Sequence, residues 1–286
     1  MHQLKEQMSL ARTLSLTCLA MLAFAGNSLL CRLALKHSAI DAATFTSVRL
    51  ISGAVTLSLI ISVTRSKPGQ LGNWPSAFAL FAYAAGFSYA YVSLPAATGA
   101  LLLFGAVQST MIGHALWKGA RLQNIQLLGL AMATCGLIGM FLPGLSMPPL
   151  IGSLLMLGAG IAWGVYSLRA KGMGDPTEVT AGNFLRSVPF ALVLNLLMLD
   201  RASLDPTGLG YAAMSGALTS GLGYAIWYRV LPALKATSAA TVQLSVPVIA
   251  AVGGILFLGE SVTLRLILAS AAVLGGIALT IFVKTK

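Results

Sequence analysis

Apolar stretches of spanning length follow one another along nearly the whole chain. A helix needs roughly 20 residues to cross the ~30 Å hydrocarbon core of a bilayer, and each stretch ends at a polar, proline or glycine break. We therefore predict an all-α integral membrane protein with ten transmembrane helices. The predicted spans are 14–35, 42–63, 74–94, 99–117 and 125–142 in the first half, and 150–168, 179–199, 209–230, 238–258 and 264–283 in the second.

The composition supports lipid as the main solvent. Hydrophobic residues make up 57% of the chain and charged residues only 9%, whereas a soluble domain has about 25% charged residues. A net charge of +11 would suggest a nucleic-acid partner for a soluble protein. In a membrane protein the excess of Lys and Arg in cytoplasmic loops explains it, so we expect no nucleic-acid partner.

The positive charges also predict orientation. If the N-terminus is cytoplasmic, twelve Lys and Arg side chains fall on the inner side, and two lie inside helices. The outer ends then hold only Arg32, Lys36, Arg201 and Arg265. This bias predicts that both termini are cytoplasmic.

An internal repeat divides the chain. The segment 162–169 answers the segment 24–30, and Arg186 stands 137 residues after Arg49. Later landmarks keep a similar offset, since Gly259 follows Gly119 by 140 residues. We predict two five-helix repeats, 1–145 and 146–286. Because five is odd, the second repeat must be inverted, an arrangement typical of secondary transporters with a midplane site.

These landmarks resemble the EamA family of the drug/metabolite transporter superfamily. The features that carry the resemblance are Trp163 with Gly164, the arginines of helices two and seven, and Gly259 with Glu260. The resemblance implies a bacterial inner-membrane exporter of small metabolites, often amino acids. It also implies a central cavity surrounded by helices one to four and six to nine. The aromatic third helix is most similar to the YddG-type exporters of aromatic amino acids.

Two positions depart from the family pattern. Many relatives carry Glu-Pro in helix nine, where this chain has Val246 and Pro247, and Ala120 stands at the first-half counterpart of Glu260. The seven acidic residues all lie in tails, loops or helix ends. An intramembrane carboxylate is the usual proton relay, so we expect facilitated diffusion, exchange, or a proton path without a midplane acid.

Aromatic side chains are candidates for the cavity wall. Tyr83 and Phe87 share one helix face, while Trp163 and Tyr224 come from the second repeat. We expect these four to bind substrate, because ligand pockets favour aromatic walls. The competing interpretation is packing against lipid or neighbouring helices, or an interfacial belt, which we favour for Tyr91 and Tyr228 near predicted helix ends.

Two amides and three prolines complete the predicted machinery. Asn27 and Gln243 are expected to bind the amino or carboxyl group of a zwitterion, although such amides more often join helices at about 0.6–2 kcal/mol. Kinks at Pro189, Pro232 and Pro247 are expected to act as hinges.

The arginines leave an alternative open. Arg49 and Arg186 could clamp a carboxylate, but their repeat-related positions favour a structural role, either snorkelling to an interface or capping helix carbonyls. A sugar-phosphate or nucleotide-sugar exchanger would use both as anion contacts. No enzyme motif or metal-ligand spacing occurs in the sequence. We therefore expect an amino acid-like small-molecule substrate, no enzyme activity, no cofactor or metal, and no obligate protein partner.

Overall fold

Helices account for all the regular structure in the part of the chain that the computed structural model describes, residues 9–64, 72–119, 121–142, 147–170, 173–234 and 236–282. The first repeat contains α1 (Leu10–His37), α2 (Ala42–Thr64), α3 (Trp74–Tyr91), α4 (Ala96–Trp117) and α5 (Asn124–Met140). The second contains α6 (Leu150–Ala170), α7 (Pro176–Leu197), α8 (Pro206–Met214), a π-helical segment (Ser215–Leu222), α9 (Gly223–Val230), α10 (Ala236–Gln243), α11 (Ser245–Leu258) and α12 (Leu264–Phe282).

The protein is a multi-pass membrane protein. Seven helices of the described ranges are long and apolar enough to cross a bilayer, and α5 is a shorter apolar helix. Most residues of each of the ten predicted spans are helical. The count of ten membrane crossings, the inversion of the second repeat and the division at residue 145 remain predictions, and that division falls outside the described residues.

Local chemistry sets where helices begin. Asn73 accepts a hydrogen bond from the Ser76 backbone N–H at the start of α3, and Asp175 accepts from two backbone N–H groups at the start of α7. Such caps satisfy N–H groups that have no partner inside the helix. In both helices a proline lies in the first turn, where its missing N–H costs nothing.

Helices from both repeats build one main core. α6 packs on α3 and α4, α2 packs on α7 and the π-helical segment, and α1 packs on α9 and α11. α5 packs chiefly on α12 around a smaller cluster that includes Val273 and Ile277. The fifth and last helices thus lie beside the main core.

An ion pair joins helix ends at what we call the Glu260 end of the bundle. Arg32 of α1 donates from Nε to Glu260 Oε1 at 3.0 Å. Its Nη1 donates to the backbone carbonyls of Tyr91 and Val92, and Glu260 Oε2 accepts from the Ala96 N–H at 2.8 Å. This pair connects the ends of α1, α3 and α4 with the loop after α11.

The opposite end, which we call the Asn73 end, is joined by neutral partners. Arg169 stands 137 residues after Arg32, the offset that separates the two helix-buried arginines. It donates to Ser76 Oγ at 3.2 Å and Asn73 Oδ1 at 3.4 Å. The Asn73 N–H donates to Asn183 Oδ1 at 2.9 Å. The two ends of the bundle are therefore held together by different chemistry.

One prediction needs correction, and two others are refined by the structure. Pro232 kinks no helix, because it lies in the 3-10 turn Leu231–Ala233 that follows α9. Tyr91 is fully buried and its hydroxyl donates to the Ala96 carbonyl, which fits the packing interpretation and not an interfacial position. The predicted span 209–230 is helical throughout, but its middle is the π-helical segment.

The other two prolines lie within helices. Pro189 is inside α7, and Pro247 is the third residue of α11, just after the helix is interrupted at Leu244. Proline has no N–H to donate to the carbonyl four residues earlier, which for Pro247 is that of Gln243. The break between α10 and α11 follows from this loss. Their action as hinges remains a prediction.

Candidate functional site

A cluster of aromatic rings lies where the two repeats meet. The Trp163 ring of α6 is 4.9 Å from the Tyr83 ring of α3, measured between ring centroids. It stacks on Tyr166 at 5.2 Å and on Tyr224 of α9 at 5.3 Å. Phe87 extends the cluster, with its ring 5.5 Å from that of Tyr83. These contacts make one continuous aromatic surface from three helices.

Small residues allow α6 to approach α4 closely. A Cβ added to Gly160 would lie 2.6 Å from the Leu103 carbonyl oxygen, and one added to Gly164 would lie 2.8 Å from Thr110. On α3, a Cβ on Gly86 would lie 3.1 Å from a backbone oxygen of α6. Close packing at glycine is the usual device in membrane helices, and here it positions Trp163 beside Tyr83.

A hydrogen-bonded polar network adjoins the rings. Asn27 of α1 donates from Nδ2 to Tyr83 Oη at 3.2 Å, and its Oδ1 accepts from Ser215 Oγ at 2.7 Å. Thr219 Oγ1 lies 3.4 Å from the same Oδ1. Arg49 of α2 donates from Nη2 to Tyr83 Oη at 2.9 Å and from Nε to Ser220 Oγ at 3.3 Å. Tyr83 Oη is therefore the point at which the two branches meet.

The π-helical segment supplies three hydroxyls of this network. Ser215, Thr219 and Ser220 are all buried, and a wider helical turn changes which side chains face α1 and α2. Gly216 lies directly against α2, where an added Cβ would collide with the Arg49 carbonyl oxygen. Single-turn π-bulges inside α-helices occur frequently at functional sites, and this segment is the local irregularity that borders the cluster.

Five of the six predicted substrate residues come together here: Asn27, Tyr83, Phe87, Trp163 and Tyr224. Gln243 does not join them, since it ends α10, is half-buried, and makes no hydrogen bond to the cluster among the described residues.

Sequence reasoning missed the hydroxyls of the π-helical segment. It also favoured snorkelling or carbonyl capping for Arg49, which is wrong because Arg49 is 1% exposed and donates to side-chain hydroxyls. The available signal was the spacing of Ser215 and Thr219, four apart between glycines in an apolar segment. Arg186 fits the capping interpretation, since it donates to the Gly182 carbonyl of its own helix at 3.2 Å.

A pocket of about 430 Å³ opens at the Asn73 end, bordered by the start of α1, the end of α2, the start of α7 and α9. Arg12, Asp175 and Arg229 contribute charged side chains, and Tyr228 contributes an aromatic one. The Tyr228 ring is 6.3 Å from that of Tyr224. The pocket is thus lined by Tyr228, the neighbour of the cluster residue Tyr224, although the six predicted substrate residues do not line it.

One carboxylate outside the spans has a clear electrostatic environment. Partial burial of Asp41 raises the pKa of its carboxyl, but hydrogen bonds from the backbone N–H groups of Ser203, Thr44 and Ala43 outweigh burial. Together they hold the pKa below its ordinary value of 3.8. Asp41 therefore stays ionised at neutral pH and ties the start of α2 to the loop before α8. No group of three His, Cys, Asp or Glu side chains within the described ranges is arranged to hold a metal ion.

Comparison with known proteins identifies the family. The model of the EamA-like transporter family matches this chain twice, over residues 11–142 and 150–282. The chain belongs to the EamA-like transporter family. This EamA-like chain is a membrane transporter, and its two matched stretches lie within the two predicted repeats.

Relatives and structures agree with this assignment. The EamA-like chain is 58% identical to an uncharacterized protein of Pseudomonas aeruginosa over 94% of both chains. It is 23% identical to the uncharacterized transporter YoaV of Bacillus subtilis over 85% of this chain and 88% of YoaV. The threonine/homoserine exporter RhtA of Escherichia coli strain K12 is 31% identical over 48% of each chain. A solved crystal structure has the same fold with a TM-score of 0.67, covering 94% of this chain and 97% of that one at 16% identity.

Proposed function

We propose that this protein exports amino acids, aromatic ones among them, from the bacterial cytoplasm across the inner membrane. The observation that carries this proposal is the aromatic cluster around Trp163 and Tyr83, set against the polar network that contains Asn27. A flat or apolar side chain packs well against such rings. The amide and hydroxyl groups beside them suit the polar part of a zwitterion.

Alternating access between two inverted halves explains how the substrate moves. In this proposal ten spans surround the cluster and both termini are cytoplasmic. The positive-inside rule then places the Asn73 end, where the 430 Å³ pocket opens, in the cytoplasm. The Arg32–Glu260 ion pair lies at the outer end. In this proposal the pocket is open to the cytoplasm and the ion pair joins the helix ends on the outer side. This is the inward-facing state in which an exporter takes up its substrate.

The similarity to RhtA supports amino acids as the substrate class, because that relative is a threonine/homoserine exporter. The polar network has no carboxylate, which supports exchange or facilitated diffusion over proton coupling through a midplane acid. A sugar-phosphate or nucleotide-sugar exchanger is the second candidate, and the buried Arg49 favours it because a cation suits an anion.

Transport in proteoliposomes tests the proposal. We expect purified protein to take up labelled phenylalanine or threonine, and other amino acids to compete, while liposomes without protein show only leakage. Competition by sugar phosphates or nucleotide sugars, with none by amino acids, would establish the exchanger instead. A fixed stoichiometry of protons moved per amino acid would contradict the uncoupled mechanism.

A further inference from the structure

Arg49 is a buried cation with an unused donor. Its side chain is 1% exposed, Nε donates to Ser220, and Nη2 donates to Tyr83. Nη1 has no hydrogen-bond partner among the described residues. A guanidinium keeps its charge and all five N–H groups in proteins, so both N–H groups on Nη1 remain available.

Aromatic rings pack against this guanidinium, and no acidic side chain of the described residues is bonded to it. Its Cζ lies 4.8 Å from the Phe87 ring centroid and 5.1 Å from that of Tyr83, within the range of cation–π attraction. Glu260 pairs with Arg32 at the end of the bundle, and Arg49 takes no part in that ion pair. An unpaired charge at such depth is costly and usually functional. A negative charge that arrives with the substrate would complete the arrangement.

Tyr83 offers a second unused donor beside the first. Its hydroxyl oxygen accepts from both Arg49 Nη2 and Asn27 Nδ2. A phenol has one proton to donate, and no described residue accepts it. The site therefore presents a charged N–H pair and a neutral O–H, which match the two oxygens of a carboxylate.

The other side of the network presents oxygen atoms. Asn27 Oδ1 accepts from Ser215, so the Ser215 hydroxyl oxygen keeps lone pairs that can accept from an ammonium group. The donors of Arg49 and the acceptor oxygen of Ser215 belong to the two branches of the network that meet at the Tyr83 hydroxyl, Ser215 through Asn27. This polarity matches the two charged groups of an α-amino acid better than a phosphate, which carries no ammonium.

We infer that Arg49 and the Tyr83 hydroxyl bind the carboxylate of the transported amino acid and so determine specificity for a free carboxylate. This inference rests on the proposed function. The repeat-related Arg186 has no such role, because it is half-buried and donates to the carbonyl of Gly182 in its own helix.

Binding in detergent tests the inference, with labelled L-phenylalanine as the probe and unlabelled L-phenylalanine or L-phenylalanine amide as the competitor. In the unsubstituted protein we expect the amide to bind at least tenfold more weakly. In Arg49→Gln, the affinity for phenylalanine should fall to the affinity for the amide, while the affinity for the amide should be nearly unchanged. Arg49→Lys should recover part of the preference, and the matched control Arg186→Gln should keep all of it.

Two results separate this inference from the proposed function. If the unsubstituted protein binds phenylalanine and its amide equally well, the inference is wrong although amino acid transport stands. If it binds neither phenylalanine nor threonine, the proposed function itself fails.

Should Arg49→Gln not fold, Tyr83→Phe keeps the ring under the guanidinium and removes only the hydroxyl. It should then reduce the acid-to-amide preference by at least threefold, and an unchanged preference would overturn the role of Tyr83.

Discussion

The ion pair at the Glu260 end gives the most quantitative prediction. Glu260 accepts from Arg32 Nε at 3.0 Å and from the Ala96 N–H at 2.8 Å, and both side chains of the pair are about nine-tenths buried. In Glu260→Gln the amide has one oxygen, so one of these donors faces an NH₂ group. Hydrogen bonds to charged groups contribute about 1.5–3 kcal/mol and neutral ones about 0.5–1.5 kcal/mol. Losing one bond and weakening the other should lower the free energy of unfolding by about 2–4 kcal/mol.

Denaturant unfolding of purified protein in detergent, followed by tryptophan fluorescence, measures this loss. Asp200→Asn is the matched control, because Asp200 is exposed and its substitution should change stability by less than about 0.5 kcal/mol. Arg32→Gln and the double variant complete a cycle, in which we expect a coupling of about 1–3 kcal/mol. If the stability losses of the two single variants simply add in the double variant, or if Glu260→Gln is as stable as the control, the ion pair does not stabilise the Glu260 end of the bundle.

Three further predictions concern the cluster, the π-helical segment and the loop before α2. Trp163→Ala should abolish most phenylalanine uptake while the size-exclusion profile of the protein stays unchanged; Trp74→Ala, outside the cluster, should transport normally. Gly216→Ala should lower the thermal unfolding midpoint by several degrees, because its Cβ collides with α2, whereas Gly210→Ala meets open space and should not. The depressed pKa of Asp41 means that its stabilising contribution is complete above its ordinary pKa of 3.8 and is lost as pH falls through the lower folded value. On acidification from about pH 5 to about pH 2, thermal midpoints should therefore fall less steeply for Asp41→Asn than for the unsubstituted protein.

Much of the fold could be predicted from local chemistry. In a bilayer every backbone polar group must be satisfied within its own helix. A helix can therefore be predicted from each apolar stretch alone. The boundaries of α2 and α6 differ from the predicted spans by only one or two residues. The Asp175 cap and the break before Pro247 are equally local, since each depends on groups within four residues. The resemblance to the family also rested on the order and spacing of residues along the sequence, such as Trp163 with Gly164 and Gly259 with Glu260.

The meeting of side chains from distant segments was harder to predict. Asn27, Tyr83 and Trp163 were expected to serve one site, and their contacts are consistent with that, while their binding of substrate remains a prediction. A structural role was favoured for Arg49 over a carboxylate clamp because its position repeats in Arg186. Their different partners show that repeated positions in a sequence do not ensure repeated environments.

The sequence by itself determined a multi-pass helical transporter of the EamA-like family, because spanning length, hydropathy and charge bias are properties of single segments. Only the tertiary structure decided which polar groups share the interior. The π-helical turn at Ser215, the orphan Nη1 of Arg49 and the pairing of Arg32 with Glu260 depend on how helices from both repeats pack. Such contacts join residues 171 and 228 positions apart, and no periodicity within one helix records which partner a side chain will meet.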